Sequence, residues 1–71
     1  MILRRRNPEK HMARFYSVGI QAELLGGWDL VREWGRIGSP GTLRTDRCAS
    51  EAEAHAAGER AIARKQRRGY R

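Results

Sequence analysis

The segment WDLVREWGRIGSPG, from Trp28 to Gly41, is the one around which the rest of this chain is arranged. It contains both tryptophans, an alternation of apolar and polar residues that is typical of a β-strand, and a Ser-Pro-Gly sequence that indicates a turn. The residues before it predict a strand that pairs with it. The residues after it predict a further strand and one helix, which together cover it.

Length and charge restrict the range of functions. A chain of 71 residues is one small domain, and a fold of this size buries only about 60% of the surface of its unfolded chain. The formal net charge is +7 at pH 7, and arginine supplies most of it. The electrostatic field of such a charge attracts phosphate polyanions, so the composition predicts a nucleic-acid partner. A basic but inert surface is the alternative.

Three features predict a soluble cytoplasmic protein. Association with the nucleoid is a further option. The single Cys48 has no partner for an internal disulfide. No apolar run approaches the roughly 18 residues needed to span a bilayer, which argues against a membrane partner. Apolar Met1–Leu3 precedes basic Arg4–Arg6, the reverse of the order in a signal peptide.

Two strands are predicted ahead of the central segment. Ile2–Arg6 suits an edge strand, whose arginines either contact phosphate or keep the edge solvated. Asn7-Pro8 ends that strand, and residues 9–13 are predicted to form a loop. Arg14–Leu25 is rich in aromatic and branched residues and predicts the second strand. Gly26-Gly27 then predicts a two-residue hairpin turn, in which Leu25 faces Trp28.

This hairpin turn sets the orientation of Trp34. With Leu25 opposite Trp28, Gly19 lies opposite Trp34, and the indole stands outward between Arg32 and Arg36. A bulge or an odd-length loop would shift the register by one residue and turn the indole inward. The outward register would place Glu33 on the core face, which favours the inward register. The arginines on both sides of the indole favour the outward register.

The next elements are a turn, a strand and a helix. Ser39-Pro40-Gly41 predicts a type II turn with positive φ at Gly41, and Thr42–Cys48 predicts a strand that adds Arg44 to the basic surface. GRIGSPG lacks the Gly-Lys-Ser/Thr ending of a phosphate loop, so that interpretation is rejected.

Ser50 and Glu53 form a capping-box pattern that predicts a helix from Glu51 to Arg67. Gly58 in mid-helix indicates close approach to a sheet, and Gly69 suits a left-handed cap. Small residues share one face of this helix, and cationic residues are concentrated in its second half. The face comprises Ala54, Ala57, Gly58, Ala61 and Ile62, and the cations are Arg60, Arg64, Lys65, Arg67 and Arg68.

No catalytic or metal-binding pattern is present. His11, His55 and Cys48 have no recognisable zinc spacing, and a half-buried structural cysteine is favoured over a thiol nucleophile. The chain is therefore predicted not to be an enzyme and not to use a metal, a cofactor or a small-molecule substrate.

Several segments together resemble the WGR domain family. They are Met12–Tyr16, Trp28–Glu33, Trp34-Gly35-Arg36 with Ile37-Gly38, Ser50–Ala54, Lys65 and Arg67–Tyr70. The chain is similar to small stand-alone bacterial WGR proteins and to the WGR domain of poly(ADP-ribose) polymerases. The resemblance implies an antiparallel sheet with one helix, and in the polymerases this domain helps to grip a DNA break. It further implies that Trp34 contacts nucleic acid, Arg36 contacts phosphate or a partner, and Lys65 contacts the backbone. No zinc-finger, regulatory or catalytic domain accompanies these segments, so break sensing is not implied.

The sequence as a whole predicts an α+β domain spanning residues 1–71, with about four strands and one C-terminal helix. The first functional hypothesis is a DNA-binding module, with DNA favoured over RNA and a preference for ends. Its predicted contacts are Trp34, Arg36, Arg32, Lys65, Arg44 and Arg64. The alternative is a module that docks on a nucleic-acid-processing protein through Trp28, Leu30, Trp34 and Arg36.

Overall fold

A computed structural model describes residues 1–71 as a four-stranded antiparallel sheet with one helix packed on one face. The predicted α+β class is confirmed. The strands lie in the sheet in the order in which they occur in the chain, β1-β2-β3-β4. A single 3-10 turn at Pro8–Lys10 lies where a loop was predicted. The elements are β1 (Ile2–Asn7), β2 (Met12–Ala22), β3 (Trp28–Arg36), β4 (Thr42–Cys48) and α1 (Glu51–Arg67). The chain contains no helix with the length and apolar character that a membrane span requires.

The predicted turn between β2 and β3 is wrong. Ala22, and not Leu25, lies opposite Trp28, so the connection is the five-residue loop Glu23–Gly27. Gly26 and Gly27 do have positive φ, at 100° and 87°, but they end this longer loop. The Glu23 amide donates to the Gly27 carbonyl at 3.1 Å, which closes it.

This change of register reverses the side of the sheet on which the β3 side chains lie. Paired residue numbers of β2 and β3 sum to 50, whereas the predicted turn requires a sum of 53, and an odd difference exchanges the two faces. Trp34 therefore lies opposite Tyr16, on the face that α1 covers. The predicted outward position of Trp34 is wrong, and Glu33 instead lies on the uncovered face.

The core lies between this face and the small residues of α1. It is formed by Leu3, Tyr16, Val18, Leu30, Ala61 and Tyr70. Ala54 and Gly58 are also buried along the predicted face of the helix. A Cβ atom added at Gly58 would lie 3.3 Å from Val18 Cγ1 and 3.4 Å from Leu30 Cδ1. Glycine at this position therefore lets the helix lie directly on the two central strands.

Local hydrogen bonds stabilise both ends of α1. The Ser50 Oγ accepts a hydrogen bond from the Glu53 amide at 3.1 Å, and the Glu53 carboxylate accepts one from the Ala49 amide at 2.7 Å. At the other end Gly69 has a φ of 95°. The Tyr70 amide donates to the Lys65 carbonyl at 3.1 Å, as in a Schellman motif. The chain thereby reverses and returns Tyr70 to the core.

The turn between β3 and β4 begins three residues earlier than predicted. The Ser39 amide donates to the Arg36 carbonyl at 3.2 Å, and Gly38 carries the positive φ, at 89°. Gly41 is instead required by close packing. A Cβ atom there would lie 2.7 Å from the Trp34 carbonyl oxygen and 2.8 Å from Phe15 Cζ.

Candidate nucleic-acid interface

A cleft opens where the C-terminal half of α1 lies over β2 and β3. Its volume is about 210 Å³, and two aromatic rings and four cationic side chains border it. We call it the aromatic–basic cleft. Its lining residues are Tyr16, Arg32, Trp34, Ala61, Arg64, Lys65 and Arg68.

Strand and helix periodicity bring these side chains together. Alternate residues of β3 face α1, so Leu30 enters the core while Arg32 and Trp34 reach the cleft. On α1, positions three and four residues apart share one face, which places Arg64 and Lys65 above the same opening as Ala61. The cleft therefore lies directly next to the core.

Trp34 is half-buried at the floor of this cleft. Its ring centroid lies 6.2 Å from that of Tyr16, with the two planes tilted by 31°. The Arg32 guanidinium carbon lies 5.9 Å from the indole centroid, within the range of a cation–π contact. One part of the indole thus packs on the core, and another part is open to the cleft.

Arg32 is held in place by an ion pair. It donates to the Asp46 carboxylate at 2.7 Å, and Arg44 donates to the other oxygen of that carboxylate at 3.2 Å. Although partial burial by itself lowers the pKa of Arg32, the neighbouring Tyr16 hydroxyl and the Asp46 carboxylate raise it overall. Partial burial likewise favours a higher pKa for Asp46, but hydrogen bonds from Arg44 and Arg32 hold it below its ordinary value. The two shifts agree, and both indicate a formed ion pair beside the cleft.

Lys65 experiences the positive field of the cleft. Its Nζ lies 5.0 Å from the Tyr16 ring centroid and 5.4 Å from that of Tyr70. Burial lowers its pKa, and repulsion from surrounding arginines lowers it further; these are Arg68, Arg14, Arg32 and Arg64. An anion placed here would relieve that repulsion.

A second hollow of about 270 Å³ borders the other side of Trp34 and Lys65. Arg36 and Arg14, which lie opposite each other in the β2–β3 ladder, line it together with Tyr70. The structure thus brings five of the predicted site residues into one region: Arg32, Trp34, Arg36, Arg64 and Lys65. Arg44 lies outside both hollows, exposed on β4 and bound to Asp46.

Four aromatic or cationic residues that line this region are absent from the predicted site residues: Arg14, Tyr16, Arg68 and Tyr70. Arg68 follows Arg64 and Lys65 at helical spacing, and this signal was available in the sequence. The positions of Arg14 and Tyr16 beside this region follow from the pairing of β2 with β3. The predicted two-residue turn gave a different pairing.

The predicted apolar anchor of Trp28, Leu30 and Trp34 does not form a surface. Leu30 is only 4% exposed and lies beneath α1, so it is not available to a partner. Trp28 is half-buried at the opposite end of β3, six positions from Trp34. The docking hypothesis therefore loses Leu30, while Trp28 and Trp34 are half-buried and Arg36 is exposed.

A four-stranded sheet and one helix that enclose a basic, aromatic cleft define a small α+β binding domain. The family model for the WGR domain matches residues 1–71, and the chain belongs to this family. WGR domains are binding modules rather than catalytic ones and are associated with nucleic-acid binding.

The chain is 34% identical over 71 residues to the uncharacterized protein y4dW of Sinorhizobium fredii. The match covers 100% of this chain and 35% of that protein, so the chain spans about a third of the length of this relative. No solved structure matches the chain.

Proposed function

We propose that this WGR domain is a non-enzymatic DNA-binding module that prefers exposed ends. In this proposal the aromatic–basic cleft holds the phosphates, and the indole of Trp34 packs against a terminal sugar or base. The observation that carries it is the half-buried Trp34 ring, open to a cleft bordered by Arg32, Arg64 and Lys65.

The electrostatics of the cleft support a polyanionic ligand. Arg64 is exposed and Lys65 has a lowered pKa among its cationic neighbours, so phosphate oxygens would stabilise both charges. Phosphate contacts position a protein on nucleic acid without reading its sequence. Binding should therefore depend steeply on salt and weakly on base sequence.

The indole supports a preference for ends. Stacking of a base on an aromatic side chain contributes roughly 1–3 kcal/mol and tolerates any base. Inside a duplex both faces of a base are already stacked, so a free face occurs at an end or in a single strand. Arg36 and Arg14 border the second hollow and would contact the phosphates of the adjoining strand. Arg44, fixed by Asp46, would contribute from the edge of the sheet.

Fluorescence anisotropy with labelled oligonucleotides tests this proposal. A short blunt DNA duplex is compared with a closed dumbbell of the same stem, a single strand and an RNA duplex, over about 50 to 200 mM salt. We expect the blunt duplex to bind more tightly than the dumbbell and the RNA duplex. Equal affinity for dumbbell and blunt duplex would remove the preference for ends, and no binding at the lowest salt would refute the proposal.

Two variants of equal charge locate the interface. Arg64→Gln removes a cation from the cleft, whereas Arg4→Gln removes one from β1 on the uncovered face, where Arg4 lies opposite Phe15. If Arg64 binds a phosphate, its variant lowers the slope of log K against log salt by about 1. The Arg4 variant should leave that slope unchanged. Equal effects would mean that net charge, and not the cleft, determines binding.

The cellular location follows from the proposed ligand. We propose that the domain acts in the bacterial cytoplasm, at the nucleoid, where chromosomal DNA is located.

A further inference from the structure

The loop between β2 and β3 presents two leucines to water. Leu24 is 100% exposed and Leu25 is 101% exposed, more than any other large apolar residue of the chain. We call this pair the leucine tip. The pair makes no contribution to the core, and an exposed apolar patch that the fold itself does not use indicates a surface for interaction.

The loop that carries the leucine tip has a defined shape. The Gly26 amide donates to the Glu23 carbonyl at 3.2 Å, and the Arg47 guanidinium donates to the Gly26 carbonyl at 3.4 Å. Gly27 lies against the Arg47 side chain and the Cys48 backbone. These contacts hold the base of the loop, so the two leucines are presented at a fixed place in the fold.

Carboxylates outnumber cations among the residues that adjoin this loop in the chain and in the ladder. Glu23 lies in the loop itself, and the neighbouring carboxylate of Asp29 raises the pKa of Glu23. Glu51 and Glu53 begin α1 just after β4, whose last residue, Cys48, pairs with Trp28 beside the loop. Arg47 is the opposing cation and is bound to Asp29 at 3.0 Å.

The leucine tip and the aromatic–basic cleft occupy opposite ends of the domain. Trp28 and Trp34 are six positions apart along β3, which corresponds to about 20 Å at the rise of a β-strand. The long dimension of the molecule is 46 Å. A ligand in the cleft therefore leaves the leucine tip free for a second one.

We propose that the leucine tip inserts into an apolar pocket of a partner protein whose rim carries cationic side chains. The leucines supply the apolar contact, and Glu23 is the carboxylate placed to pair with the rim. The same carboxylates repel nucleic acid and anionic lipid, which makes a protein the occupant that fits this charge. A domain occupied at both ends would connect its partner to nucleic acid.

The test begins with a photo-crosslinking amino acid at position 24, introduced into the chain in its native cell. Position 43 is the matched control, because Leu43 is 64% exposed but lies on the uncovered sheet face, away from the loop. We expect a protein crosslinked from position 24 and not from position 43. That protein is then purified and titrated with the domain.

The titration decides the proposal. Leu24→Ser combined with Leu25→Ser should weaken binding of the purified partner by roughly tenfold or more, and Glu23→Gln should weaken it and lower its salt dependence. Thermal unfolding and DNA affinity of the double variant should match those of the original chain, since the leucines pack against nothing. The outcome is thus separate from that of the DNA-binding proposal.

Four results would overturn the proposal. The first is a failure to find a crosslinked protein, and the second is a purified partner that binds the double variant equally well. The third is leucine-dependent binding to vesicles of phosphatidylcholine and phosphatidylglycerol, which would make the occupant a membrane. The fourth is leucine-dependent self-association in sedimentation velocity, which would make the occupant a second copy of this chain.

Discussion

Trp34 lies directly opposite Tyr16 in the β2–β3 ladder, with the two ring centroids 6.2 Å apart. Because Tyr16 is buried and Trp34 is half-buried, this pair marks the point where the core becomes the cleft. Tyr70 also packs against Tyr16, in an edge-on arrangement with ring centroids 6.5 Å apart. The residue proposed to touch nucleic acid therefore also contributes to stability, and the two contributions have to be measured separately.

Trp34→Ala is expected to lower DNA affinity by roughly tenfold or more, because one stacking contact contributes about 1–3 kcal/mol. It should also lower the free energy of unfolding by about 2 kcal/mol, less than for a fully buried tryptophan. Denaturant unfolding gives the stability, and anisotropy at a temperature where the variant is fully folded gives the affinity.

Trp28→Ala is the matched control for this measurement. Trp28 lies on the same face of β3 and is likewise half-buried, but it pairs with Ala22 and Cys48 at the far end of the strand. It should lose similar stability and keep its DNA affinity. A similar loss of affinity in both variants would show that stability, and not the indole in the cleft, accounts for the effect.

Gly41→Ala is expected to destabilise the domain by about 2 kcal/mol, by overpacking. The new methyl group would lie 2.7 Å from the Trp34 carbonyl oxygen, and this backbone atom has little freedom to move. Gly19→Ala is the control, since a methyl group there would meet nothing within 4 Å. Glycine weakens a strand interior, so this second change should be neutral or stabilising. Thermal unfolding of both variants distinguishes local crowding from a general intolerance of alanine.

The elements with local signals could be predicted from the sequence to the residue. The capping box at Ser50 and the left-handed glycine at Gly69 bracket α1, and the observed bounds Glu51–Arg67 agree with those predicted. Thr42–Cys48 was likewise correct. For α1 the determining contacts lie within a few residues of each end of the helix.

The pairing of β2 with β3 could not be obtained in the same way. Two adjacent glycines with positive φ suit a two-residue turn, but they equally suit the end of the observed five-residue loop. The apolar Leu24 and Leu25 extended the strand pattern past Ala22, where the ladder ends. Packing of α1 on the sheet selects the register, and this contact is distant in sequence. Glu33 was the one local sign of the true arrangement.

The ion pair between Arg32 and Asp46 predicts a pH dependence of stability. The folded pKa of Asp46 is lowered from its usual value of 3.8, so its contribution is present above about pH 4 and is lost as pH falls through the folded pKa. The contribution should be below about 1 kcal/mol because the side chain is 36% exposed and screened by solvent. Asp46→Asn should therefore be less stable than the original chain at neutral pH, with the difference shrinking in acid. A constant difference from neutral pH to acid would contradict this account.

Lys65 should report directly on the binding of an anion. In the free domain burial and four surrounding arginines lower its pKa from 10.5. A phosphate in the cleft would favour the charged ammonium, so the pKa should rise on binding. The complex then binds more protons than the free domain, and affinity should fall as pH rises through the pKa of the complex. An NMR titration of the Lys65 side chain with and without the blunt duplex measures the shift, and Lys65→Gln should remove this part of the pH dependence. An unchanged or lower pKa in the saturated complex would mean that phosphate does not approach Lys65, and the cleft would then have to bind DNA through its arginines alone.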